Sequence, residues 1–134
     1  MKATLAARQK GDEFPPATFQ ITRDWVEAYV DAVGDAAIAS LGEDLVPPMA
    51  VAALSVRALI EASPLPPGTL HASQELSFTR PVRVGEEIAA AARVVSRGER
   101  AGWVLMGIEL NVRASGEPAM TGRATITFPA EADA

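Results

Sequence analysis

Few side chains in this 134-residue chain are of a type that does chemistry. Asp35 follows Gly34, Glu43 and Asp44 stand side by side, His71 is the single imidazole, and there is no cysteine. An aspartate can hold a water, and with an imidazole it can pass a proton near neutral pH. After a helix-ending glycine, however, it is ordinarily a solvated turn residue. One histidine excludes a multi-histidine metal site within the chain. Without cysteine there is no thiolate ligand, thiol nucleophile or disulfide. No metal or other cofactor is expected. Arg80, before Pro81, can pair with Glu75 or Glu86, or reach an anionic group of a ligand. Arg57 and Glu61 are spaced to meet on one helix face.

The element that must position these groups is Val46 to Ser63, VPPMAVAALSVRALIEAS, apolar on nearly every side. That pattern predicts a buried helix over 47–62. Pro47 and Pro48 suit its start, and Ser63-Pro64 its end. It is too short and interrupted to span a membrane, which takes about 20 apolar residues. Before it, Ala17 to Ile21 alternates as a short strand. Thr22 is a candidate N-cap, and Trp25, Ala28, Tyr29 and Ala32 mark an amphipathic helix over 23–33 that Gly34 stops. After it, even positions from Leu70 to Val84 form one apolar face of a long strand, with Gln74 on that face. Further strands are expected at 88–95, 103–113 and 119–128, joined by RGERAG (97–102) and ASGEP (114–118).

Short turns force antiparallel neighbours, and a one-faced sheet needs a cover. The only element long and apolar enough is the 47–62 helix. The chain is therefore expected to be one α+β domain over 1–134, a curved antiparallel sheet wrapped around a central helix: the hotdog fold. Residues 1–13 are polar and read as a loose arm, and 129–134 as a tail. The formal net charge of −5 disfavours nucleic acid and anionic membranes. No apolar run near the start resembles a signal peptide, so a cytoplasmic location is expected.

Three segments carry a family resemblance. TRDWVEAYVDAVGD (22–35), VPPM (46–49) and HASQELSFTRPVRVGEEI (71–88) resemble the MaoC-like dehydratases, most closely their FAS1-type dehydratase branch. That branch includes non-catalytic subunits of mycobacterial (3R)-hydroxyacyl-ACP dehydratases. The third segment is similar to the signature Gln-x-x-x-Phe-x-Arg-Pro-x-x-x-Gly-Asp/Glu, and TGRATITF (121–128) also fits. The resemblance implies binding of acyl thioesters, on CoA or an acyl carrier protein, and a dimer with itself or another hotdog subunit. It implies a substrate site at Pro48, Met49, Ala50 and Gln74, and hydration of a trans-2-enoyl thioester or its reverse. That chemistry takes a water between an Asp and a His of the pattern Gly-Asp-x-Asn-Pro-x-His.

Here the pattern is broken. Gly34 and Asp35 are present, but Ala37, Ile38 and Ser40 stand at the Asn, Pro and His positions. A serine hydroxyl without an activating partner is no base at neutral pH. Only eleven residues separate Asp35 from Pro47. His71 matches a strand-start position, which favours a structural or interface role. The expectation is a degenerate or accessory subunit of an (R)-specific hydratase or dehydratase. The alternatives are an active hydratase using Asp35, a thioesterase using Glu43, Asp44 or Asp35, and a binding module for hydrophobic ligands.

Overall fold

The computed structural model describes residues 4–34 and 44–133. In order come β1 (Ala17–Gln20), α1 (Arg23–Val33), α2 (Pro48–Ala62), β2 (Leu70–Phe78), β3 (Glu87–Arg100), β4 (Trp103–Ala114) and β5 (Glu117–Pro129). The strands form one five-stranded sheet ordered β1-β3-β4-β5-β2, antiparallel at each pairing. One face packs on α2. Val104, Met106, Ile108, Leu110 and Val112 of β4 alternate inward and are all buried. Against them lie Val51, Leu54 and Leu59 of α2, together with Met120, Ile126 and Phe128 of β5.

Local chemistry explains the element ends. The Thr22 hydroxyl accepts from the Trp25 N–H at 3.2 Å, and Gly34 closes α1 in the left-handed region at φ 68°. Side chains at Ala28 and Ala32 are exposed, however, and α1 packs through Val26, Trp25, Tyr29 and Val30 instead. Pro48 opens α2, and the Ser63 N–H bonds the Leu59 carbonyl as it ends.

Four features depart from the sequence reading. The helix at 47–62 is expected to be buried all round, yet only one face is: Met49 is 55% and Ile60 42% exposed. The sheet covers α2 on the β3 and β4 side and leaves an apolar stripe beside β2. Second, β2 ends at Phe78, because Pro81 can donate no ladder bond, and a bulge at Ala72 breaks its alternation. Third, β3 runs to Arg100, and the RGERAG loop shrinks to Ala101-Gly102. Both turn residues have positive φ, 53° and 83°, the type I′ geometry that matches strand twist. Ser115-Gly116 repeats it between β4 and β5.

Fourth, the N-terminal arm is packed against the fold at Leu5, Ala6 and Phe14. Leu5 and Ala6 are buried in a 3₁₀ turn, and the Leu5 N–H bonds the Pro64 carbonyl. Gly11 and Asp12 pair with Val94, and Phe14 with Ala92. The arm so continues β1 along the free edge of β3. Apolar Leu5 and Phe14 supply the anchoring that its polar average conceals.

Candidate functional site

The N-terminal end of α2 opens on a cavity of about 330 Å³, lined by Pro48, Val51, Phe78, Arg80, Val82 and Ala119 among others. Two backbone hydrogen bonds hold its rim: the Val46 N–H bonds the Val82 carbonyl and the Val84 N–H bonds the Asp44 carbonyl, which together set Leu45 opposite Arg83. This short ladder sets where the helix begins relative to the segment after β2. No carboxylate stands in the first turn of α2, and Pro47 offers no side-chain cap. Among the described residues, the positive end of the helix dipole therefore faces the cavity with no carboxylate in the first turn of the helix.

The cavity floor is fixed by an ionic knot. Arg80 Nη2 donates to Glu86 Oε1 at 2.7 Å, and its Nη1 donates to the Ala114 carbonyl at 3.1 Å. Glu86 Oε2 accepts from the Arg83 N–H at 2.7 Å, and Oε1 from the Ser115 hydroxyl at 3.1 Å. Burial pushes the Glu86 carboxyl up, but the Arg83 N–H, Arg80 and Ser115 together hold it below the ordinary 4.5. Arg80 thus ties the β2–β3 connection to the end of β4, and its pairing with Glu86 is one of the two expected for it.

The candidate residues separate. Pro48 lines the cavity, and Met49 beside it is exposed. Ala50 is fully buried, and its N–H is taken by the Pro47 carbonyl at 2.9 Å. Gln74 is half-buried on the helix-facing side of β2, opposite Ala124. Next along that face, Leu76 lies over Gly122, where a Cβ would come within 2.8 Å of the leucine Cδ2. Asp44 is held by Arg23 at 3.0 Å. Asp35, Ser40 and Glu43 lie outside the described residues. Sequence reasoning missed Val51 and Ala119. Val51 follows Pro48 by three residues, one helical turn on the same side, which could have flagged it.

His71 is elsewhere. The bulge at Ala72 turns it onto the helix-facing side, opposite Ile126. There it lines a second, narrower cavity of about 140 Å³ with Leu5, Leu59, Ile60, Leu65 and Ala124. From Val51 to Leu59 the helix advances about 12 Å, and from Phe78 to His71 the strand runs roughly 20 Å. The chain's one imidazole is therefore at the far end of α2 from the first cavity. Among the described residues no three of His, Cys, Asp or Glu are grouped to hold a metal. Among them, too, no helix is long and apolar enough to cross a membrane.

An antiparallel curved sheet around such a helix defines the hotdog class, and known structures agree. An (R)-hydratase from A. caviae involved in PHA biosynthesis is 24% identical, with TM-score 0.75 over 92% of this chain and 98% of that one. A C-terminally truncated HadBC, a (3R)-hydroxyacyl-ACP dehydratase complex from Mycobacterium tuberculosis, is 21% identical, with TM-score 0.73 over 92% and 100%. A variant of the fluoroacetyl-CoA-specific thioesterase FlK is 14% identical, with TM-score 0.71 over 93% and 91%. At these identities the likeness is one of fold. No protein of curated function matches the sequence. The family model described as "FAS1-like, dehydratase domain region" matches residues 8–122. The chain belongs to that family.

Proposed function

We propose that this chain is an acyl-thioester-binding hotdog subunit of the (R)-specific hydratase or dehydratase type, accessory or degenerate in that it relies on a hotdog partner for its imidazole. The observation that carries this is the separation of His71 from the cavity at Pro48. A water-transfer site needs a proton-accepting group beside the bound thioester. Ser40 stands at the family's histidine position in sequence, and the chain's one imidazole, His71, lies at the opposite end of the helix.

Several features support the binding half of the reading. The cavity is mainly apolar, suited to an acyl group, and the dipole of α2 favours negative charge developing on a thioester oxygen. Met49 contributes the first N–H of the helix, since Pro48 has none. Asp35, two residues after Val33 in the sequence, remains the candidate carboxylate. For the partner, β2 is an edge strand with exposed Leu70 and Phe78, and the stripe of Met49 and Ile60 runs beside it. Similar structures include two-subunit complexes, HadBC and ChsH1–ChsH2.

Titration calorimetry with an acyl-CoA and its free fatty acid tests the reading. The thioester is expected to bind at least about tenfold more tightly, ~1.4 kcal/mol. Equal affinities would instead make the chain a general module for hydrophobic ligands.

A further inference from the structure

The far-end position of His71 has a geometric counterpart across the open edge of the sheet. β2 is paired to β5 on one side, and among the described residues nothing pairs with its other side. Its helix-facing residues are fixed by their opposites on β5: Phe78 against Met120, Leu76 against Gly122, Gln74 against Ala124 and, past the bulge, His71 against Ile126. A second copy added antiparallel about a two-fold axis must oppose like faces, or its apolar residues turn to solvent. The axes that keep most of the strand paired pass through Gln74 or Glu75. An axis at Glu75 sets that carboxylate against its own copy, which is unfavourable. An axis at Gln74 places Glu75 opposite Ser73 and, with the extra residue at Ala72 counted, His71 opposite the partner's Leu76. Leu76 neighbours Phe78 on the helix-facing side, and Phe78 walls the cavity at the start of α2.

We propose that the partner is a second copy of this chain, and that His71 of each copy is delivered to the other's cavity as its missing imidazole. This rests on the functional reading above. Without the bulge His71 would point to the outer face, so the one irregularity in β2 is what makes the delivery possible. In such a composite site the oxygen of a water bonds to C3 of a trans-2-enoyl thioester. The water gives one proton to the imidazole, the C2=C3 electron pair moves to C2, and C2 takes up a proton that the imidazole returns. The reverse sequence removes water.

Two measurements on the full chain test this. The chain has no native cysteine, so engineered pairs report cleanly. Under oxidation, His71→Cys combined with Leu76→Cys or Phe78→Cys is expected to give a covalent dimer in at least one combination. Within one chain these positions are too far apart to bridge. His71→Cys alone is expected to give none. In the hydration of crotonyl-CoA, His71→Gln is expected to lower the rate about 10²-fold or more. Val51→Trp, which fills the cavity, is expected to do the same. Mixing the two inactive variants is expected to restore about a quarter of the wild-type rate, because a mixed dimer holds one intact composite site. A histidine acting on its own chain's cavity would restore nothing. Failure of both pairs to cross-link, hydration unaffected by His71→Gln, or no rescue on mixing overturns the proposal. If thioester affinity survives any of these failures, the binding subunit stands and only the second copy's imidazole falls.

Discussion

At its C-terminal end α2 is closed by the chain's own start. Leu5 is buried there, Arg8 Nε donates to the Ser63 hydroxyl at 2.9 Å, and the Arg8 guanidinium lies 4.8 Å from the Phe14 ring centroid. At its N-terminal end Pro48 and Val51 border a cavity, and the polar order lies in the knot of Arg80 and Glu86. One end is packed for stability and holds the histidine at its margin. The other is kept hollow, with a helix dipole and no histidine. The contrast teaches that the chemistry-bearing residue and the ligand-sized space have been parted within one chain, while the scaffold that relates them is intact.

Substitutions at the two ends should therefore differ in kind. The largest effect on folding is expected at the packed end. Leu5→Ala should destabilise by about 2–5 kcal/mol, read as a lower urea midpoint, with crotonyl-CoA affinity of the folded protein unchanged. A smaller loss is expected under the hollow end. Glu86→Gln should cost about 1–3 kcal/mol at neutral pH, because it weakens a charge-assisted knot. The sign of its pH dependence follows from the lowered carboxyl. The ionised carboxylate contributes stability that is fully present above the unfolded value near 4.5 and is lost as pH falls through the lower folded value. The gap between wild type and Glu86→Gln in denaturation curves should therefore be constant above about pH 6 and close progressively below pH 4.5. A gap that widens in acid would contradict the knot.

Smaller again is Gly34→Ala, at the residue that closes α1. Its φ of 68° should make the variant about 1–2 kcal/mol less stable by thermal melting. The smallest effect is expected at Arg57→Ala. Its 2.9 Å pair with Glu61 is exposed on both sides, and its loss should cost below about 0.5 kcal/mol.

The helices and the antiparallel order were legible because their signals are local. Thr22, Gly34, Pro48 and the alternation from Val104 to Val112 each act within a few residues. What escaped depends on distant parts of the chain. Nothing in the run from Leu70 shows that Ala72 is an extra residue, since the bulge exists only relative to β5. The arm at 4–14 reads as polar, yet it is held by Leu5 and Phe14 against surfaces formed later in the chain. Gly98 and its charged neighbours read as loop, because the type I′ turn at Ala101-Gly102 needs only two residues. Of the candidate residues, Pro48 at the helix start lines the cavity, whereas Ala50, two residues on, points into the core. Val51, Ala119 and the wall at Phe78 come together only when α2 meets β2 and β5.

The two-ended account is tested most directly by blocking each cavity in turn. Crotonyl-CoA, whose acyl group is short, would be titrated calorimetrically into wild type, Val51→Trp and Leu65→Trp, after confirming that all three unfold cooperatively. The account predicts that Val51→Trp removes binding while Leu65→Trp leaves the affinity within about twofold, under ~0.5 kcal/mol. Binding that survives Val51→Trp and is lost in Leu65→Trp would place the thioester at the wrong end of α2 and contradict it.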